Sequence, residues 1–208
     1  MTDAEPKDPG PGRELVSLGD EHPVWQRFFQ VSPLVVVGTR EPDGTYDLAP
    51  KHLAMPLGWE NWFGFVCTPA HATYGNAIRE GAFTVSFPRP SQILLASLAA
   101  APRCADDRKP SLEAVPTFPA RRVDGVLLEE AYVHLECETD RVIDGFGDNS
   151  LITGRVVETL VTEDAIRRAD KDDKQLIFHA PLLAYLPPGR YAEVSHTFAF
   201  PFHEGMTR

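Results

Sequence analysis

Two short stretches of this chain place polar, chemically competent residues at the ends of apolar runs. In Leu48-Ala49-Pro50-Lys51-His52-Leu53-Ala54 an extended segment meets a proline, and a cation and an imidazole follow at once. Such a segment serves either as a polar strand end on the surface or as a loop that holds an anion or a heterocycle edge with its amides and basic side chains. Thr68-Pro69-Ala70-His71-Ala72-Thr73-Tyr74-Gly75-Asn76 joins a buried strand to the start of a helix. The free amides and positive end of a helix dipole favour a phosphate at such a junction. Thr73 has the right type to cap that helix, and its hydroxyl can equally donate to a phosphate oxygen.

Other chemistries find less support. The chain has seven histidines but no His-Glu-x-x-His, no Cys-x-x-Cys and no compact histidine pair, so no metal site is expected. Cys67, Cys104 and Cys137 are too far apart to form a disulfide framework or a zinc site, and Cys67 and Cys137 sit in apolar runs as small core residues. No Gly-x-Ser-x-Gly or Ser-x-x-Lys supports a nucleophilic hydrolase. No Gly-x-Gly-x-x-Gly follows a strand, so a nicotinamide cofactor would have no Rossmann domain of its own. A net charge of −10 repels a nucleic-acid backbone, which argues against general nucleic-acid binding. No apolar run approaches about 18 residues and no signal-like N-terminus is present, which predicts no membrane span and a cytoplasmic protein.

The elements that must carry these residues read as mainly β. Residues 1–19, with Pro6, Pro9, Gly10, Pro11 and Gly12 among charges, read as a flexible tail. Residues 20–208 read as one domain. Residues 24–29 suggest a short amphipathic helix. The run 34–39 is β-branched and predicts a buried strand. Pro42-Asp43-Gly44 turns it into a returning strand at 46–50. Strands follow at 62–67 and, with period two, at 83–87. Helices are expected at 73–80, capped by Thr73 and stopped by Gly81, and at 91–101, capped by Ser91. Residues 102–125, rich in Pro, Arg and Asp, form a long excursion of the kind that is often functional. Long strands at 131–142 and 151–160 flank a turn at 145–149, and a charged helix is expected over 162–171. Phe198, Phe200 and Phe202 alternate in the tail and need cover, from the same barrel or from a partner.

Taken in order, these segments resemble the flavin reductase-like family, the FMN-binding split barrels of the flavoredoxin and flavin reductase type. The resemblance runs from about residue 22 to 200. It rests on Ser32-Pro33-Leu34-Val35-Val36-Val37-Gly38-Thr39, Asp43-Gly44, Ala49-Pro50, the Pro-centred loop with Thr73, and Asn76-Ala77-Ile78-Arg79-Glu80-Gly81. His134-Leu135-Glu136-Cys137, Gly154-Arg155-Val156-Val157 and Gly189-Arg190-Tyr191-Ala192 extend it.

The resemblance implies a six-stranded split β-barrel with helical excursions, working as a homodimer with the flavin near its interface. It places the FMN phosphate near His71 and Thr73, with Asn76 on the same helix. It borders the isoalloxazine ring with Lys51, His52, Leu53 and Ala54. Many relatives carry an Arg or Lys in the loop before the Thr. Here Ala70-His71 stand there, which makes Lys109, in the long excursion, a candidate second cation. Family reductases often carry a His in the turn matching Gly147-Asp148-Asn149-Ser150, close to the nicotinamide. Asn149 is therefore the catalytic candidate, able to hydrogen-bond a carboxamide but not to carry a proton. Glu60-Asn61 replaces a customary Pro-Pro. The resemblance implies two functions. One is an NAD(P)H-dependent flavin reductase that passes a hydride from NADH or NADPH to FMN, with an electron-accepting protein or free flavin as acceptor. The other is an FMN-binding electron carrier or flavin holder without nicotinamide turnover.

Overall fold

The computed structural model of the chain describes residues 15–206. The proposed tail of residues 1–19 therefore falls largely outside the described residues. In chain order the strands and helices are β1 (Ser32–Pro33), β2 (Val35–Arg40), β3 (Tyr46–Lys51), β4 (Ala54–Pro56), β5 (Trp62–Cys67), α1 (Ala72–Glu80), β6 (Ala82–Phe87), α2 (Ile93–Ala99), β7 (Thr117–Pro119), β8 (Val126–Leu128), β9 (Val133–Phe146), β10 (Asn149–Val161), α3 (Asp173–His179), β11 (Leu182–Leu186) and β12 (Arg190–Val194).

The main sheet has the order β3-β2-β6-β9-β10-β5-β4. Its two edge strands are consecutive in the chain, with only His52 and Leu53 between them. Three peptide steps span no more than roughly 11 Å. The sheet must therefore curl until its edges nearly meet, and His52-Leu53 marks the place where the barrel is split. The sheet has seven strands where the resemblance implies six. The extra one is the three-residue edge strand β4, which pairs with Phe63–Phe65 of β5.

The interior is filled by the inward residues of the curled sheet, among them Val35, Val37, Phe63, Phe65, Phe83, Val85, Cys137 and Ile152. Phe65 and Phe83 meet edge to face with ring centres 5.1 Å apart. Gly154 is required beneath that pair, because a Cβ there would lie 2.6 Å from the Phe83 ring. A second apolar layer lies outside the barrel, where Leu34, Val36 and Leu48 pack under Ala96, Ala99, Leu128 and Leu183. Strand β2 is thus buried on both faces, which explains its unbroken valine run. Strand β6 is likewise buried along its middle on both faces instead of on one. A three-stranded sheet, β1-β11-β12, lies beside β4, and β7, within the long excursion, pairs with β8 just past its end.

Several local expectations shift. Residues 24–29 make a turn, closed by Arg27 N–H to Val24 O at 2.9 Å, and leave Trp25, Phe28 and Phe29 exposed. Helix α2 is entered through a 3-10 turn led by Pro90, and the Gln92 side chain accepts from Arg89 N–H at 3.0 Å; Ser91 caps nothing. The charged helix expected over 162–171 is replaced by turns, and α3 begins after it. Its cap is Asp172, whose carboxylate accepts from the N–H groups of Lys174 and Gln175. Among the described residues no helix is long and apolar enough to cross a membrane.

Candidate functional site: a cation-lined cavity at the barrel closure

Helix α1 starts directly after the loop that leaves the end of β5. Its N-cap is His71, whose carbonyl accepts from Tyr74 N–H at 3.0 Å, and no side chain caps it. Thr73 therefore does not cap the helix. It sits in the first turn, 1% exposed. No acidic residue stands in that turn, so the positive helix end is not neutralised locally.

A cavity of about 320 Å³ opens against this helix start. Its functional lining is Lys51, His71, Thr73, Arg103 and Lys109, with Asp47 as the one acid. Lys51 is 8% exposed at the end of β3, next to the barrel closure. Lys109 and Arg103 arrive from the long excursion. Lys109 Nζ donates to Asp47 Oδ1 at 3.2 Å and to the Leu48 carbonyl at 2.8 Å. Arg103 lies 3.3 Å from Asp47 and also donates to Glu41. Asp47 is 4% exposed on β3 and is the anchor of this set. Lys51, Arg103 and Lys109 face Asp47 in the cavity, and Arg103 is paired with Glu41 as well, so cations outnumber the carboxylates they meet by one.

The histidines respond to that charge. Burial pushes the His71 imidazole below its ordinary range, and Lys51 and Lys109 push it the same way, while Asp47 opposes them. Burial and Lys51 lower His52. Burial raises the Cys67 thiol against the pull of the neighbouring Lys51, so the sulfur is a protonated thiol and not a nucleophile at neutral pH.

The structure brings Lys51, His71, Thr73 and Lys109 to one cavity and distributes the other sequence candidates around it. The His52 ring packs against Tyr185 with centres 5.1 Å apart, and Leu53 is exposed at the closure. The Ala54 side chain is buried in the barrel core, which leaves only its backbone on the outside. Asn76 is buried in the barrel wall, donating to Thr39 Oγ1 at 3.2 Å and accepting from Arg79 at 2.9 Å, and does not line the cavity. Asn149 is exposed and faces Phe146 across the two-residue tip Gly147-Asp148 of the β9–β10 hairpin. That tip is tied to α1, because Asp144 accepts from Tyr74 Oη at 3.1 Å and from Ser150 Oγ at 2.6 Å. Sequence reasoning misses Arg103. The available signal is Asp47, a carboxylate next to Leu48 in an otherwise largely apolar strand, and buried there it requires cations from elsewhere. Among the described residues no group of His, Cys, Asp and Glu side chains is arranged to hold a metal ion.

The molecule is thus a curled split barrel with a cation-lined cavity at a helix start. The chain belongs to the flavin reductase like domain family, whose sequence model matches residues 29–193. Solved structures share the fold at low identity. Component B of nitrilotriacetate monooxygenase from Bacillus cereus superposes with a TM-score of 0.77 at 18% identity, over 91% of this chain and 100% of that one. Flavoredoxin of Desulfovibrio vulgaris gives 0.73 at 21% identity over 93% and 100%. The FMN-binding protein from Thermus thermophilus gives 0.70 at 23% identity over 90% and 99%. Comparison with curated proteins finds no match.

Proposed function

We propose that this chain binds FMN and works as an NAD(P)H-dependent flavin reductase. The observation that carries the reading is the cavity holding Lys51, Arg103, Lys109 and Thr73 at the uncapped start of α1, within a few residues of the barrel closure at His52-Leu53. The donor set fits a phosphate monoester, which carries close to two negative charges at neutral pH. Lys51, Lys109 and Arg103 would hold it, with Thr73 donating its hydroxyl. His52, Leu53 and the backbone of Ala54 would border the ring. When bound, flavin supplies hydride and one-electron chemistry, and the protein supplies orientation and electrostatics. The family and the FMN-binding protein among its structural neighbours agree with this reading.

The acceptor is an electron-accepting protein or a free flavin, and the working unit is a homodimer. Two features support the dimer. Across the outer face of β9, β10, β5 and β4, Ile143, Leu151 and Val66 stand in register, with Leu57 and Met55 alongside. Ile143 and Met55 remain 42% and 55% exposed, and Phe198 in the tail is 96% exposed. Contiguous apolar surface of this kind is usual at subunit contacts. A monomeric mass of the flavin-loaded protein at micromolar concentration would remove the dimer.

Asn149 keeps a second reading in view, an FMN electron carrier without nicotinamide turnover, since its amide cannot carry a proton. One set of measurements separates the readings. FMN fluorescence should quench on titration with protein at micromolar or lower concentration, and NADH and NADPH consumption is then followed with and without FMN. No quenching rejects both readings. Quenching without NADH or NADPH consumption, in wild type and in Asn149→His alike, selects the carrier.

A further inference from the structure

The cation-lined cavity does not end at Arg103 and Lys109. A second cavity, of about 460 Å³, lies on their far side, between the β2–β3 hairpin and the excursion. The two cavities share Asp47, Arg103 and Lys109. These shared residues form a wall held by ion pairs: Arg103 to Glu41 and Asp47, and Lys109 to Asp47. The second cavity has the opposite character from the first. Glu41, Asp43, Asp47, Asp106, Asp107 and Glu113 line it, against only Arg103, Arg108 and Lys109. Of those three cations, Arg108 is engaged with Asp106 at 2.6 Å and the other two belong to the wall.

A flavin mononucleotide and a flavin dinucleotide differ beyond the first phosphate. The mononucleotide ends in a monoester with close to two charges concentrated on one group. The dinucleotide carries a diphosphate diester, one charge on each phosphorus, and must place a second phosphate and an adenosine past the first. The concentrated cations of the first cavity suit the monoester. A second phosphate that extended past the wall would meet the acidic cavity, whose charge opposes it. Resting on the FMN reading above, we propose that this wall and the acidic cavity behind it make the site selective for a terminal phosphate monoester, FMN over FAD. Five acids line only the second cavity, Glu41, Asp43, Asp106, Asp107 and Glu113, and of these Asp106 and Glu113 lie on the excursion and make no ion pair with the wall.

The test titrates riboflavin, FMN and FAD against full-length protein by fluorescence, without any turnover assay. FMN is expected to bind at least about ten-fold more tightly than FAD at low ionic strength. The double variant Asp106→Asn/Glu113→Gln should narrow that ratio about three-fold or more by strengthening FAD alone. Added salt should narrow it in wild type, because exposed charges are screened beyond about 8–10 Å at physiological ionic strength. Binding of FAD as tight as FMN in wild type overturns the proposal, and so does a ratio that neither salt nor the double variant moves. Loss of all three ligands in a folded protein overturns the flavin reading itself and the selectivity with it. Tight FMN with equal FAD overturns only the selectivity.

Discussion

The long excursion between α2 and β9 has two halves held by different physics. The first half, through Arg103 and Lys109, is fastened by side-chain cations to Asp47 and Glu41 on the β2–β3 hairpin. The second half is fastened by burial and by one carboxylate. Val115, Leu127, Leu128 and Ala131 are almost completely buried. Glu136, 0% exposed on β9, accepts from three successive backbone N–H groups, those of Arg121, Arg122 and Val123, at 2.5 to 3.1 Å. Thr84 completes that clamp by donating to the Val126 carbonyl at 2.6 Å. An ion-paired loop beside a cavity can exchange its partners for a ligand, whereas a loop caged around a buried carboxylate cannot. On the proposed FMN reading the first half is the one that answers to an anion, and the second half holds the barrel together.

The largest expected effect breaks the second half alone. Glu136→Ala leaves three amides without their acceptor, at a cost of about 3 kcal/mol, which for a domain of this size lowers the melting temperature by roughly 6–12 °C. Glu136→Gln keeps the volume and can set its one carbonyl oxygen where Oε2 accepts from all three amides, so it should recover much of the loss that alanine shows. Flavin affinity of the protein that remains folded should be unchanged. An alanine variant as stable as wild type would show that packing, and not the amide cage, holds this segment.

Lys109→Met carries the opposite expectation. It removes one cation of the first cavity and leaves Asp47 to Arg103. A hydrogen bond to a charged group contributes about 1.5–3 kcal/mol, so FMN should bind roughly ten- to hundred-fold more weakly while riboflavin is barely affected. Thr73→Val is the smaller version of the same experiment. The isosteric change removes one hydroxyl from the cavity wall, and FMN should weaken by about ten-fold, the lower end of that range. Equal loss of FMN and riboflavin in either variant would place these residues in the fold and not at a phosphate.

The contrast between the halves also explains which features are legible in the sequence. Strands β2, β5, β6, β9 and β10 announce themselves by β-branched and aromatic runs, and α1 by its stop at Gly81, which takes the left-handed conformation at φ 65°. These are local signals. Thr73 reads as a cap in the sequence because Ser, Thr and Asp are favoured at helix starts, whereas the cap position falls two residues earlier, at His71, which sets Thr73 buried in the first turn. Lys109 is visible as a cation, but Arg103 is lost in a segment without periodicity. Its partners Glu41 and Asp47 lie far away in sequence, on the β2–β3 hairpin, and only the fold brings them together. The α3 shift has a similar cause. The charge run at 162–171 looks helical by composition, yet the carboxylate able to cap a helix is Asp172, just past its end.

The smallest effect concerns His71, and it asks whether the first cavity senses protons as well as charge. The free imidazole is held below its ordinary range by burial, with Lys51 and Lys109 adding to this and Asp47 opposing it. In the free protein it is therefore neutral at pH 8. A phosphate beside it favours the protonated form, so its value in the complex lies above its value in the free protein. By linkage, its contribution to FMN affinity grows as pH falls through the complex's value. That growth stops below the free protein's value, where both states are protonated. The phosphate monoester takes up its own second proton near pH 6, which weakens binding in wild type and variants alike. The informative quantity is therefore the difference between wild type and His71→Gln, measured from pH 8 to pH 5.5 with riboflavin as the control. That difference should be close to zero at the alkaline end and reach a few-fold in favour of wild type at the acid end. Superimposable profiles would mean that His71 serves α1 only through its backbone carbonyl, and that the cavity's charge comes from the excursion and Lys51 alone.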